Sequence, residues 1–307
     1  MAGSVSLPAG QLLQALVSAD KTGTAGRILF YSRLPRTAAA LCAGAALAAA
    51  GVILQILLDN PLAGPNIIGV NSGAVFGAVV CCAVFPGAVG LVPAFAFLGA
   101  LGAVFLVWGL ARRVGASRMT IVLAGVAAGS LLSALSDAVQ TFLPEAIFTG
   151  ADFRMGGLAG LRTGTLWPAC GLIGLALLLA HLMRGELDLL ALGDDTARSL
   201  GLAAGRCRGI LLAAAACLAG AAVSFAGMVG FVGLIVPHIG RRLVGSEARL
   251  LLPFSCLAGA ALMAGCDTLG GVLFAPYELP VGILISLIGG PVFLSLLLKK
   301  RGGRSDA

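Results

Sequence analysis

The sequence predicts an all-α fold: a polytopic integral membrane helical bundle. Hydrophobic residues make up 59% of the 307 positions and charged residues only 11%, and the mean hydropathy is +1.04. A soluble domain carries about 25% charged residues, so no soluble fold covers this much apolar surface. In residues 227–300 the charges gather at the ends of apolar runs, as a lipid-embedded helix requires.

Nine apolar segments are candidate spanning helices. A bilayer core about 30 Å thick needs about 20 apolar residues per helix, and we end each segment at charges, prolines or turn residues. The segments are residues 37–58, 67–85, 89–111, 119–140, 166–183, 209–226, 229–244, 250–272 and 280–298. The seventh, 229–244, is the shortest.

Nine crossings place the two ends of the chain on opposite sides of the membrane. If the C-terminus is cytoplasmic, the basic residues outside are Lys21, Arg27, Arg33, Arg36, Arg154 and Arg162. The rest of the 20 then lie inside, which satisfies the positive-inside rule. The formal charge of +7 therefore reflects topology and predicts no nucleic-acid partner.

Small residues mark faces where helices can approach closely. Gly44, Ala48 and Gly51 share one face of the first helix, and Gly125 with Gly129 forms a GxxxG motif in the fourth. Helix packing and lining of a solute path are both open for these faces. The sequence GMVGFVG at 227–233 lacks the GxGxxG order of a dinucleotide site and predicts a tight turn into a short helix.

Cysteine and histidine spacing predicts neither disulfides, nor a metal site, nor a cofactor. The eight cysteines lie mostly within apolar runs and form no CxxC pair. His181 and His238 are isolated, which favours hydrogen bonds over metal binding. Asp267, late in the eighth segment, predicts a structural cap or ion pair.

Five separated motifs together resemble a known family. They are residues 33–36 (RLPR), 60–65 (NPLAGP), 192–193 with 197–201 (LG and ARSLG), the segment around Pro237-His238, and 277–280 (YELP). In this order, over residues 3–300, the chain resembles the FecCD-type permease subunits of bacterial ABC importers for iron-siderophores, haem and vitamin B12. The resemblance implies one permease domain over residues 1–307, located in the cytoplasmic membrane.

The resemblance also implies partners and a division of labour. We expect a second permease subunit, identical or paralogous, two ABC ATPase subunits below and an extracytoplasmic substrate-binding protein above. Cargo would cross by alternating access, with an iron-siderophore expected from its frequency in the family and haem or vitamin B12 as alternatives. The chain holds no Walker motif and no catalytic constellation, so we expect no enzyme activity in this subunit.

Within that domain the expected divisions are an extracytoplasmic segment 1–36, a helical bundle 37–298, a cytoplasmic coupling segment 184–208 and a cytoplasmic tail 299–307. Relatives usually have ten helices and begin inside the cell. Residues 3–16 resemble the segment that follows the first of those ten. We therefore expect either a start codon placed too far downstream or a shortened permease.

The coupling segment is the longest polar stretch between helices. Its apolar and polar positions fit a short surface helix broken by glycines, and by themselves they support only a solvated loop. The resemblance implies coupling helices that rest in a groove of the ATPase subunit, carried by Leu192, Gly193, Ala197, Leu200 and Gly201.

The remaining candidate residues each carry two interpretations. Arg33 and Arg36 either reach lipid phosphates or, as the resemblance implies, dock acidic residues of the binding protein. A further arginine often found before the ELP motif is replaced here, with Gly271 in its place. Ser130, Ser133, Asp137 and Ser286 either line the translocation path or form hydrogen bonds between helices. For Ser117 and Thr120 the resemblance implies a cytoplasmic gate.

Two other classes of protein compete with the importer. A secondary transporter would show inverted repeats with broken helices, and the sequence has no clear internal repeat. An intramembrane enzyme could use Asp194-Asp195 as a metal-binding pair, but these aspartates lie in a predicted loop without supporting ligands. We therefore expect a transport subunit without chemistry of its own.

Overall fold

The computed structural model describes residue 10, residues 23–114, 118–273 and 277–302, with only the backbone for 296–302. Its described residues form helices and connecting turns, without a strand. The helices are α1 Thr24–Leu57, α2 Val70–Val84, α3 Val92–Val114, α4 Arg118–Phe142, α5 Glu145–Met155, α6 Thr163–Leu182, α7 Arg184–Ala191, α8 Asp194–Ser199, α9 Ala204–Ala226, α10 Val232–Val244, α11 Ala248–Leu273 and α12 Val281–Gly302. A short 3₁₀ helix, Pro65–Ile68, lies before α2.

Each of the nine predicted segments overlaps one of these helices, which confirms the helical membrane bundle. Helices α1, α3, α4, α6, α9 and α11 are long and apolar enough to cross a bilayer by length and composition. Val70–Val84 and Val281–Ser295 are shorter apolar helices, and α10 has only 13 residues. The structure adds three short helices that hydropathy alone does not reveal, namely α5, α7 and α8.

Helix α1 begins at Thr24, earlier than the predicted start at residue 37. The segment Leu29–Arg33 is a π-helical turn placed directly before Pro35. Proline has no backbone N–H and would clash with a regular α-turn, whereas a wider turn accommodates the ring. The predicted start at residue 37 is therefore wrong for this helix. The helical backbone widens before Pro35 and continues through it.

The bundle has two ends, named here by residues that lie at them. The start of α1 and the end of α11 meet at the Arg36 end, where Arg36 contacts Asp267. The start of α11 lies at the α7 end, because Ala248 contacts Asp188 of α7. The nine helices that match the predicted segments, short ones included, alternate in direction between these ends along the chain. Predicted outside residues Arg36, Arg154 and Arg162 lie at the Arg36 end.

Helices α1 and α9 form the centre of the bundle. Within their most apolar windows, 78% of α1 and 72% of α9 are buried, against 28–33% for α3, α4, α6 and α11. The outer helices leave large apolar side chains exposed, including Leu98, Leu123, Leu175 and Leu257. Such surface is stable against lipid or another apolar protein face, not against water.

Glycines allow α1 to meet its neighbours backbone to backbone. A Cβ on Gly44 would overlap the carbonyl of Gly259 in α11, and one on Gly51 would overlap the carbonyl of Gly233 in α10. In α4, a Cβ on Gly125 would overlap the Ile67 carbonyl. Gly44 and Gly51 therefore act in helix packing, since close approach of small residues holds helices together in lipid, whereas path lining stays open for Gly125.

Helix α10 is entered through the predicted tight turn and carries a proline in its interior. Phe231, just before the helix, has φ of 63°, and Gly227 has φ of 67°. Pro237 cannot donate to the Gly233 carbonyl four residues earlier. Gln55 of α1 supplies the missing donor, with Nε2 3.0 Å from the Gly233 oxygen. Its Oε1 accepts a hydrogen bond from Arg241. The Gln55 side chain therefore binds one residue before Pro237 and one residue after it.

Candidate functional site

The coupling segment is a pair of short helices, α7 and α8, at the α7 end. Leu187, Leu190 and Ala197 are fully buried and attach these helices to the bundle. Leu192 and Leu200, in contrast, are 61% and 60% exposed. Two large apolar side chains held in solvent by an anchored segment are typical of a surface that a partner covers.

Gly193 and Gly201 end the two helices in conformations that other residues adopt at a cost. Their φ angles are 101° and 84°. The Gly193 carbonyl accepts the first hydrogen bond of α8, from the Ala197 N–H at 2.9 Å. Ala197 is buried, so its contribution is to the shape of the segment, and any partner contact falls to the exposed leucines.

Ion pairs and a helix cap connect the coupling segment to the rest of the chain. Arg208, near the start of α9, binds Asp194 at the start of α8. Asp188 of α7 accepts a hydrogen bond from the backbone N–H of Ala248, 2.7 Å away, at the first residue of α11. Neither contact was predicted from the sequence, since the second joins residues 60 positions apart.

At the opposite end, Arg36 is the centre of an ion-pair cluster. Its Nε and Nη2 donate to both carboxylate oxygens of Asp267, at 2.8 and 2.9 Å, and its Nη1 donates to Glu278 at 2.7 Å. The predicted pairing of Asp267 is confirmed. Arg33 lies three residues earlier, as the last residue of the π-helical turn. The guanidinium of Arg36 is thus already engaged by two carboxylates within the chain.

Three of the four predicted path residues lie together on α4. Ser130, Ser133 and Asp137 line an open groove of about 540 Å³ that continues over Asn66, Ser72, Gly125 and Gly129. Ser133 donates to the Ser72 hydroxyl at 3.3 Å. Polar hydroxyl and amide groups along an otherwise apolar helix give this groove a weakly polar wall.

The fourth path residue, Ser286, lies elsewhere. It belongs to α12, which packs against α10 and α11, and its hydroxyl donates to the Gly282 carbonyl at 2.7 Å. At the Arg36 end of the α4 groove, Arg154 of α5 binds Asp137 at 2.5 Å. The chain therefore presents a polar groove on α4 and a separate serine hydroxyl on α12.

The predicted gate falls partly outside the described residues. Ser117 is not among them, whereas Thr120 lies in the first turn of α4. Next to it, Arg118 binds Asp59 at 2.5 Å, which joins the loop after α1 to the start of α4. Asp59 directly precedes the NPLAGP motif, a position that could have signalled this contact.

Within the described part of the chain, no three His, Cys, Asp or Glu side chains cluster as they would around a metal ion. All eight cysteines are thiols. The charged pairs described above link helices, and none of them forms a nucleophile with a general base.

Comparison with known proteins agrees with this geometry. The family model described as the FecCD transport family matches residues 1–299. The Fe(3+)-citrate import system permease protein YfmE of Bacillus subtilis (strain 168) is 38% identical over 275 residues, covering 88% of this chain and 81% of that protein. The vitamin B12 import system permease protein BtuC of Klebsiella pneumoniae is 38% identical over 313 residues, covering 98% and 89%.

A solved structure shares the fold. It is described as an inward-facing conformation of a metal-chelate type ABC transporter. The TM-score is 0.83 at 29% sequence identity, over 94% of this chain and 98% of the matched one. The helical arrangement seen here is therefore that of a solved ABC transporter chain.

Proposed function

This chain belongs to the FecCD transport family, and we propose that it carries a bulky iron chelate, an iron-siderophore, into the cell. As a permease subunit of this class of ABC importer it spans the inner membrane many times. Its relatives include permeases named for iron citrate and for vitamin B12, so the cargo of this chain is the finer part of the proposal. Vitamin B12 and haem are the alternative cargoes.

The observation that carries the proposal is the exposed leucine pair of the coupling segment. Leu192 and Leu200 are held away from the bundle by buried Leu187, Leu190 and Ala197. A fixed apolar surface at the cytoplasmic face is what an ATP-hydrolysing subunit needs in order to grip and move the bundle. Two such ATPase subunits hydrolyse ATP, and Gly193 and Gly201 set the shape of the surface that they hold.

Docking of the substrate-binding protein takes place at the Arg36 end. Arg33 and Arg36 supply positive charge there, and long-range attraction to acidic groups sets orientation and association rate. Because Arg36 also binds Asp267 and Glu278, a docking carboxylate has to share or displace these partners. Arg36 therefore supplies position, because these two carboxylates fix its guanidinium.

The translocation path is formed by the α4 groove together with a second permease subunit. A groove that is open along one side holds a large solute only after another wall covers it. Ser130, Ser133 and Asp137 provide one polar wall, and Ser286 on α12 a further polar point. At the opposite side of the membrane, Thr120 belongs to the cytoplasmic gate beside the Asp59–Arg118 ion pair, and Ser117, which lies outside the described residues, is assigned to the same gate by the family resemblance.

Reconstitution tests this function directly. The permease is assembled in vesicles with its ATPase and loaded binding protein, and uptake of labelled ferric siderophore, ferric citrate, haemin and cyanocobalamin is compared. We expect ATP-dependent accumulation with a ferric siderophore preferred. Accumulation driven by an ion gradient in vesicles that lack the ATPase would overturn the importer mechanism, and preference for another cargo would overturn the cargo alone.

A further inference from the structure

Helix α11 is fastened at both of its ends to elements on opposite sides of the bundle. At the α7 end, Asp188 accepts from the Ala248 N–H at 2.7 Å. At the Arg36 end, Asp267 holds Arg36 through two hydrogen bonds of 2.8 and 2.9 Å. One helix therefore connects the coupling segment directly with the proposed docking end.

The spacing of the two fastenings matches the thickness of the membrane. Ala248 and Asp267 are 19 positions apart in one continuous helix, about 28 Å at 1.5 Å per residue. Pro253 lies in the second turn, and no other proline follows before the helix ends at Leu273. Pro253 interrupts the backbone hydrogen bonding of the second turn, and the stretch from Pro253 to Leu273 is the part of the helix that can move as one body.

Close packing keeps α11 aligned with α1 along its length. The Gly44 and Gly259 backbones are so near each other that neither position can accept a side chain without displacement. Helix α11 also contacts α7 and α10. This glycine contact holds α11 against α1, and polar bonds that can transmit force in both directions hold its two ends.

The hydrogen bond between Asp188 and the Ala248 N–H, at the α7 end, is of a strong type. The first four N–H groups of a helix lack partners within the helix, and they form the positive end of its dipole. A carboxylate that accepts from such an N–H makes a charge-assisted hydrogen bond. Asp188 comes from a different helix, so the bond ties two elements together instead of merely ending one of them.

We propose that α11 transmits movement of the coupling segment to the Arg36 end, with Asp188 as the positioning residue that links α7 to α11. This inference rests on the proposed function, because it takes α7 and α8 to be moved by the ATPase. Rotation of α7 carries Asp188, pulls the start of α11, and reaches Arg36 and Glu278 through Asp267. Binding-protein docking and nucleotide state are thereby connected through one helix.

A purely structural cap makes a different prediction from a transmitting bond. Loss of a cap lowers thermal stability and leaves the cargo moved per ATP unchanged. Loss of a transmitting bond lowers the cargo moved per ATP in complexes that assemble and hydrolyse ATP normally. The ratio of uptake to hydrolysis in the reconstituted full complex is therefore the decisive readout.

Three variants of α7 separate these outcomes. Asp188→Ala removes the acceptor, Asp188→Asn keeps an oxygen at the same place, and Glu186→Ala removes a carboxylate from the same helix as a matched control. We expect Asp188→Ala to lower uptake per ATP about fivefold or more, the usual size of coupling between sites. Asp188→Asn should restore most of the ratio, and Glu186→Ala should leave it unchanged.

The opposite end gives an independent arm. Asp267→Asn weakens the bond to Arg36 and should lower the same ratio, and it should also weaken stimulation of ATP hydrolysis by the binding protein. If Asp188→Ala does not assemble, Asp267→Asn tests whether α11 transmits the movement. An unchanged ratio in the assembled variants overturns the proposal, and this includes a fall in uptake that an equal fall in ATP hydrolysis and a lower melting temperature accompany. Absence of ATP-driven uptake by the unmodified complex would instead refute the proposed function.

Discussion

The side-chain amide of Gln55 donates to the backbone carbonyl of Gly233 at 3.0 Å, the acceptor that Pro237 leaves without its helical partner. In lipid no water can replace the missing bond, so a neighbouring helix has to supply it. The same amide accepts from Arg241, and its 3% exposure leaves no room for another partner. Helix α10 therefore depends on α1 for its own backbone hydrogen bonding.

Replacing Gln55 by leucine should destabilise the protein in a way that Pro237→Ala partly reverses. Each orphaned buried group costs about 1–3 kcal/mol. Alanine at 237 restores an N–H for the Gly233 carbonyl, so the cost of Gln55→Leu should fall by about 1 kcal/mol in that background. Unfolding of the four variants in detergent measures the coupling, and strictly additive effects would contradict this account.

Replacing Gly201 should uncouple ATP hydrolysis from uptake. The φ of 84° strains any residue with a side chain by about 1–2 kcal/mol, although open space surrounds the position. We expect Gly201→Val to reshape the end of α8 and reduce uptake per ATP. Gly205→Ala is the matched control, since Gly205 lies in the first turn of α9 without positive φ. Equal behaviour of the two variants would argue against a role for Gly201.

Charge reversal should distinguish the two arginines at the Arg36 end. Arg33→Glu is expected to lower the affinity for the binding protein, and most of all at low salt, where attraction is least screened. Arg36→Glu should lower both the affinity and the melting temperature, because it places three carboxylates together. The exchange Arg36→Asp with Asp267→Arg should recover the melting temperature but not the affinity. Titrations over a range of ionic strengths would exclude docking if neither reversal changed the affinity.

Asp137→Asn should alter transport with little change in stability. Asp137 and Arg154 are 61% and 46% exposed, and exposed pairs contribute about 0–1 kcal/mol. If Asp137 lines the path, cargo uptake changes at a constant melting temperature. If it mainly holds α5 against α4, the melting temperature changes instead. Glu145→Gln, an exposed carboxylate at the start of α5, serves as the control.

The amino-acid sequence predicts the apolar helices, because lipid requires them, but it does not predict contacts between residues far apart in the chain. Nine apolar helices follow from hydropathy, and six of them among the described residues have the length and composition of a membrane span, as lipid requires. The early start of α1 does not follow in this way, since a π-helical turn before Pro35 leaves no compositional mark. The Arg36–Asp267 pair joins residues 231 positions apart, and no local pattern announces its partner. Residue roles in α7 and α8 came from family resemblance, since the residues alone predict only a solvated loop.

The exposed pair Leu192 and Leu200 also bears on how the cell makes this protein. A copy synthesised without its partner subunits would expose these two leucine side chains to the cytosol and the open α4 groove to the bilayer. Chaperones and membrane proteases act on such surfaces. Steady-state abundance of the permease is thus expected to follow the supply of whichever subunit shields these leucines, so that orphan copies are degraded before they can form a leaky pore.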